Sequence, residues 1–165
     1  MALQSERALD SIDWKILREL QADARLSFNE LARRIGLSSP AVAERVRRME
    51  DAGVIAGYHA QVDPSKVGLP VMALIQMRCA PGKCLLKTAS PGDYPELLDM
   101  VKVSGPHCSV LKVAAASIPH LEDLFERLGM HGELLTSMVW SSALNRRVLD
   151  GEAITWEGGA ATEWR

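Results

Sequence analysis

Residues 27–53 read SFNELARRIGLSSPAVAERVRRMEDAG, and their punctuation decides the fold of the amino-terminal third of the chain. Ser27-Phe28-Asn29-Glu30 has the form of a capping box, with Ser27 as cap and Glu30 reaching back. Phe28, Leu31, Ala32 and Ile35 follow at helical spacing as one apolar stripe. Gly36 then ends a short helix by taking the left-handed conformation, and Leu37 plugs the turn. Ser38 or Ser39 caps the next helix, with Pro40 in its first turn where a missing N–H is harmless. Val42, Val46 and Met49 form the buried stripe of that helix, and Gly53 stops it. Upstream, Leu9, Ile12, Ile16, Leu17 and Leu20 recur at helical spacing, with Asp10 as an early acid at the positive helix end. Three helices with a tight glycine turn between the second and third form a helix-turn-helix pattern. After Gly53, Val54–Val62 is expected to be a small strand or wing.

Charge supports a nucleic-acid role only locally. The 165 residues carry a formal net charge of −2, with 47% hydrophobic and 24% charged residues, an ordinary globular composition. From Arg25 to Arg48, however, six arginines (Arg25, Arg33, Arg34, Arg45, Arg47, Arg48) face two acids (Glu30, Glu44), a local balance of +4. On the third helix, Arg45, Arg47 and Arg48 lie off the apolar stripe, while Ser38, Ser39, Ala43 and Glu44 are expected to be exposed near its start. That division suits recognition of double-stranded DNA, with short polar residues at base edges and arginines, Arg33 and Arg34 included, on phosphates. No apolar run reaches the ~18 residues that span a bilayer, and MALQSERALD has no apolar signal core, so a cytoplasmic protein without membrane association is expected. The three cysteines, Cys79, Cys84 and Cys108, fit neither a disulfide framework nor a standard zinc spacing.

Asp63–Pro70, with two prolines and a glycine, reads as a linker between domains at 1–62 and 71–142. Downstream, Val71–Cys79 reads as a strand and Lys83–Ala89 as a short helix. Leu98–Ser104 and His107–Ala114 read as strands about a turn at Gly105-Pro106. Pro119 opens a helix with Leu121, Leu124, Phe125 and Leu128 on one stripe; Gly132 closes the connection, and Leu134–Ser142 is the last strand. The order β-α-β-β-α-β predicts a ferredoxin-like α+β domain, an antiparallel sheet with both helices on one face. The last strand is apolar on both sides, with Thr136, Met138 and Trp140 on one and Leu135 and Val139 on the other, which argues for a homo-oligomer.

The stretch LDSIDWKILRELQADARLSFNELARRIGLSSPAVAERVRRMEDAGVIAGYHAQVDP resembles the Lrp/AsnC (feast/famine) family of transcription regulators nearly throughout. YPELLDMVKVSG, VLKVA and LLTSMVWSS are similar to that family's effector-binding and oligomerising domain. The resemblance runs from about Leu9 to Ser142. It implies sequence-specific DNA binding by a winged helix-turn-helix, dimers formed through the second domain's sheet, octamers built from four dimers, and an amino-acid effector. The family's effector site maps onto Ser104, Gly105, Pro106, His107, Cys108, Thr136 and Met138. Two features depart from it. The acidic Gly-Asp-x-Asp segment is here Gly105-Pro106-His107-Cys108, and of the paired threonines only Thr136 remains, Met138 replacing the other. An ammonium group desolvated in that loop lacks a carboxylate partner, so poor binding of ordinary amino acids is expected, with a less polar small molecule or none as effector.

No catalytic residue, metal site or cofactor is expected. Adjacent strand residues point to opposite faces, so one ion could not readily take both His107 and Cys108, with or without Cys79. Sirohaem decarboxylases resemble the family in both domains and are the alternative from another class. Their chemistry would need histidines and basic residues along the ligand cleft, and only His107, His120 and His131 offer themselves here. An effector-independent DNA-organising protein is the other alternative. The tail 143–165 lies beyond the resemblance. Arg146, Arg147 and Asp150 are expected to extend the last strand, Gly158–Ala161 to be flexible, and Trp156 and Trp164 to pack on another subunit.

Overall fold

Asp10 starts the first helix. Its carboxylate accepts from the Ile12 and Asp13 amides at 2.8 Å, while Asp13 at the third position accepts back from the Asp10 amide at 3.2 Å. The computed structural model, which describes residues 9–144 and 147–151, places α1 at Ser11–Ala22, α2 at Phe28–Ile35 and α3 at Ser39–Asp51. Ile16 and Leu17 of α1, Leu31 and Ala32 of α2, and Val42, Val46 and Met49 of α3 close one small core, with Leu37 and Ile55 packed at its edge. Each large side chain buried there contributes about 1.5–3 kcal/mol. Gly36 adopts φ 79°, and the amides of Gly36 and Leu37 both return to the Ala32 carbonyl, at 2.9 and 3.0 Å.

Three expectations for this region are corrected. Phe28 is 45% exposed: as the first residue of α2 its side chain leans past the helix start, away from the core. Glu30 does not reach back to the Ser27 amide, because Arg33 and Arg34 capture its carboxylate. Val54–Val62 forms no strand. The Val54 and Ile55 amides fold back onto the Met49 carbonyl, the Tyr58 hydroxyl donates to Glu50 at 2.8 Å, and among the described residues no neighbouring strand offers a ladder.

Asp63 caps a 3-10 turn at Pro64–Val67, after which β1 (Val71–Cys79), α4 (Leu85–Thr88), β2 (Leu97–Lys102), β3 (Ser109–Ala115), α5 (Ile118–Gly129) and β4 (Gly132–Met138) follow. The sheet order is β2-β3-β1-β4 with every neighbouring pair antiparallel, the split arrangement that the element order implies. Ala73, Ile75 and Met77 of β1 and Leu111 and Val113 of β3 pack against Leu85 and against Leu121, Leu124 and Leu128 of α5. Register puts Leu134, Thr136 and Met138 on this covered face, opposite Met77, Ile75 and Ala73. Leu74, Val101 and Leu135 lie on the open face and remain exposed.

Strand ends differ from the sequence expectation because partners set them. β4 stops at Met138 rather than Ser142, since its partner β1 has little left to pair beyond Ala73; the Val139 amide to the Met72 carbonyl at 2.9 Å is the last rung, and Trp140 is 93% exposed. β2 ends at Lys102 and β3 begins only at Ser109, opposite Met77, leaving 103–108 as a longer turn. Gly132 is the first residue of β4 and not part of the connection; a Cβ there would meet the Arg78 carbonyl oxygen at 2.1 Å.

The described residues form two compact units, one of residues 9–60 together with 144 and 147–151, the other of Gln61–Ala143. Within the first, Gln21 holds the backbone of Leu149 at both polar atoms, at 2.8 and 2.9 Å, and Gly151 lies against the Trp14 indole. Arg147 and Asp150 therefore do not prolong β4. Arg146, Gly158–Ala161, Trp156 and Trp164 fall outside the described residues.

Candidate nucleic-acid interface

Ser38 opens α3: its hydroxyl accepts from the Ala41 amide at 3.4 Å. Ser38, Pro40 and Glu44 are exposed, whereas Ser39 and Ala43, expected to be exposed, are half-buried. The helix presents its positive end and short side chains outward, the geometry by which recognition helices approach base edges.

The arginines split into two groups. Asp13, 3% exposed, accepts from Arg45 at 2.7 Å and from Arg48 at 3.0 Å, and Asp10 accepts from Arg45 at 2.7 Å. The Arg45 bond holds the Asp10 carboxyl below its ordinary range, and bonds to Asp10 and Asp13 raise Arg45 in turn. These two guanidiniums fasten α3 to the start of α1. Arg33, Arg34 and Arg47 have only surface partners. Arg33 and Arg34 share Glu30, Arg34 also reaches Glu19 at 2.7 Å, and Arg47 pairs with Glu44. Arg33 is 76% and Arg47 67% exposed. Exposed pairs of this kind are worth about 0–1 kcal/mol, so a phosphate can replace the carboxylate at little cost. Asp13, the anchor of the first group, was missed in the sequence; its place three residues after the cap Asp10 is the one signal that points to it.

At the second expected site, the turn 103–108 is closed by the Val103 amide on the Cys108 carbonyl at 3.2 Å, and Gly105 has φ 108°. Arg78, not anticipated, donates to the Pro106 carbonyl at 3.1 Å and lies 3.7 Å from Glu133. Ser104, Gly105 and Pro106 are exposed; His107 and Cys108 are half-buried. Thr136 pairs with Ile75 and Met138 with Ala73, on the far side of β1 from that turn. They lie about 7 Å or more further along the strand, so one subunit does not bring the two halves together. His120 is bonded to Glu96 and His131 to Tyr94 and Thr88, so neither is directed at that turn. Among the described residues no group of three or more His, Cys, Asp or Glu is placed to hold a metal ion, and no helix is long and apolar enough to cross a membrane.

Residues 9–56 match a family described as winged helix-turn-helix DNA-binding. Over 135 residues the chain is 38% identical to the uncharacterized HTH-type transcriptional regulator YezC of Bacillus subtilis, covering 82% of this chain and 96% of that protein. The structure of B. subtilis LrpC superposes with a TM-score of 0.79 at 32% identity, over 85% of this chain and all of that one. A feast or famine regulatory protein from M. tuberculosis, solved in complex with L-methionine, superposes at 0.72 with 33% identity, over 86% of this chain and 100% of that one. An N-terminal helix-turn-helix followed by a four-stranded antiparallel sheet is common to this chain and these relatives, and the chain belongs to the Lrp/AsnC family of DNA-binding transcriptional regulators.

Proposed function

We propose that this regulator reads double-stranded DNA in the cytoplasm as a homo-oligomer, with Ser38, Ser39, Pro40, Ala43 and Glu44 at the bases and Arg33, Arg34 and Arg47 on phosphates. Arg45 and Arg48 act through α3, holding its angle rather than touching the duplex. The division of the arginines between the buried Asp13 and surface carboxylates carries this reading. Twofold assembly through the open sheet face, and octamers from four such dimers, fit the exposed Leu74, Val101 and Leu135. Two helix-turn-helix units so related would read inverted half-sites about one helical turn apart, or a multiple of it. A non-enzymatic role fits the engagement of His120 and His131 in internal hydrogen bonds. Sequencing the DNA bound to the protein in cells tests the reading directly: enrichment of a palindromic motif supports it, and uniform coverage overturns it in favour of a DNA-organising protein.

For the effector, the turn 104–108 together with Thr136 and Met138 of an assembled oligomer would hold a small molecule less polar than a free amino acid. No carboxylate in Ser104–Cys108 would pair an ammonium group. Thermal-shift screening with the twenty amino acids at millimolar concentration should give little stabilisation, since a ligand stabilises as RT ln(1 + [L]/Kd). A rise of several degrees with any of them, L-methionine included, would show that the pocket takes amino acids.

A further inference from the structure

Cys79 and Cys108 meet at the carboxyl end of β1, and Cys84 follows a few residues along the chain. Cys79 is the last residue of that strand, Cys84 caps α4, and Cys108 immediately precedes β3. The Cys108 amide bonds the Met77 carbonyl at 2.8 Å, although Met77 is already the register partner of Ser109. Two residues of one strand thus oppose one of the other, as in a bulge, and the side chains of Cys108 and Ser109 fall side by side. The Cys108 sulfur lies 3.3 Å from the Cys79 amide nitrogen, 3.2 Å from the Met77 carbonyl and 3.7 Å from the Ser109 hydroxyl. Cys79 and Cys108 are close enough for each thiol to influence the other's ionisation, with a smaller influence of Cys84 on Cys79. All three cysteines are half-buried and unpaired.

We propose that Cys108 and Cys79 are an oxidisable pair, in which a hydroperoxide attacks Cys108 and Cys79 resolves the product into an intrachain disulfide. In the first step the Cys108 thiolate takes one oxygen from hydrogen peroxide, forming a sulfenic acid, and the O–O bond breaks with release of hydroxide, which is protonated to water. In the second, the Cys79 sulfur attacks the sulfenic sulfur; the S–S bond forms, the S–O bond breaks, and the departing hydroxide takes the Cys79 proton as a second water. Two thiols are oxidised, one peroxide is reduced, and no other reactant is needed. The Cys108 sulfur accepts from the Cys79 amide and, as a thiol, donates to the Met77 carbonyl. Burial opposes its ionisation, but the Cys79 thiol and amide and the Ser109 hydroxyl outweigh burial and draw it below the ordinary thiol range. The Cys79 thiol is pushed up to about 11, chiefly by burial and then by its bonds to Cys108 and Cys84, and so keeps its proton until Cys108 has been oxidised. The bond would fasten the turn 103–108 to the end of β1, which makes the turn's position dependent on redox state. None of this depends on the ligand proposed above.

Trypsin separates the three cysteines, because Arg78, Lys83, Lys87, Lys102 and Lys112 place them in peptides 79–83, 84–87 and 103–112. The reduced full-length protein is treated with hydrogen peroxide, alkylated, digested and analysed by mass spectrometry without reduction. The expected product joins 79–83 to 103–112, with Cys84 alkylated and the chain running as a monomer on a non-reducing denaturing gel. Cys84→Ser should keep the link and Cys108→Ser should abolish it. Cys79→Ser should instead leave a sulfenic acid on Cys108 that dimedone traps. Three alkylated thiols in the treated wild type, a link that persists in Cys108→Ser, or a cross-linked dimer would each overturn the proposal.

Discussion

Both carboxylate oxygens of Asp13 lie 3.0 Å from the same guanidinium nitrogen of Arg48, and Arg45 adds a third bond at 2.7 Å. The carboxylate is buried while the arginines are 24% and 44% exposed, so removing it leaves cations that can turn to water rather than stranded charges. Asp13→Ala also deletes the return bond to the Asp10 amide. The expected loss is about 2–3 kcal/mol in the helix-turn-helix unit, read as a lower unfolding temperature. Unchanged thermal unfolding would mean that the three bonds contribute nothing net.

Arg33 and Arg47 should behave differently. Their partners Glu30 and Glu44 are surface carboxylates, so Arg33→Ala and Arg47→Ala should leave thermal unfolding unchanged. Each should flatten the dependence of log K on log salt by about 0.9, the value for one lost phosphate contact. Arg45→Ala should lower stability and leave that slope nearly unchanged. Fluorescence anisotropy on one operator fragment at several salt concentrations distinguishes the two classes, and equal slopes for all variants would contradict the split. Substitutions at Ser39 or Ala43 should alter sequence preference instead.

Glu96 introduces a pH dependence into the second unit. It is 6% exposed and accepts from His120 at 3.0 Å and from Arg127. Burial favours its neutral form, but its own backbone amide, Arg127 and His120 outweigh burial and hold the carboxyl below its ordinary value of 4.5. A depressed carboxyl contributes stability that is fully present above the unfolded value and is lost as pH falls through the folded one. Glu96→Gln should therefore be about 1–3 kcal/mol less stable than wild type at neutral pH. The gap should narrow once pH drops below 4.5. Urea unfolding across that range measures it; a gap that widens in acid has the wrong sign.

Legibility in the sequence followed distance along the chain. Gly36, Ser38 and the stripe Val42, Val46, Met49 obey rules that act over one or two turns, and each stands where its spacing placed it. Arg45 and Arg48 read as free phosphate ligands because their partner Asp13 is 32 and 35 residues away, beyond any local pattern. The ends of β4 and β3 were misplaced for a related reason: a strand stops where its neighbour stops, and β1 sets both. The strict alternation applied to His107 and Cys108 does not foresee Cys108 beside Ser109, a residue doubled against Met77. A turn at Gly105-Pro106 was legible in composition, but its extent over 103–108 and its contact with Arg78 were not.

The open sheet face gives the test of assembly. Leu74 of β1 and Leu135 of β4 are 41% and 55% exposed, and register keeps both off the face that packs against α5. Substituting either should therefore spare the fold of the subunit. In a twofold interface each position is buried twice, so at about 1.5–3 kcal/mol per buried leucine one substitution removes about 3–6 kcal/mol of association. At 1.4 kcal/mol per decade that raises Kd by about two to four decades. Leu135→Asp and Leu74→Asp are expected to shift light-scattering masses toward the monomer at micromolar concentration, with far-ultraviolet circular dichroism unchanged. Met130→Asp, an equally apolar exposed position at the end of α5 and off the sheet, should leave the mass alone. If Met130→Asp dissociates the oligomer while Leu135→Asp and Leu74→Asp do not, the subunits meet through the helical side and the open face has another use.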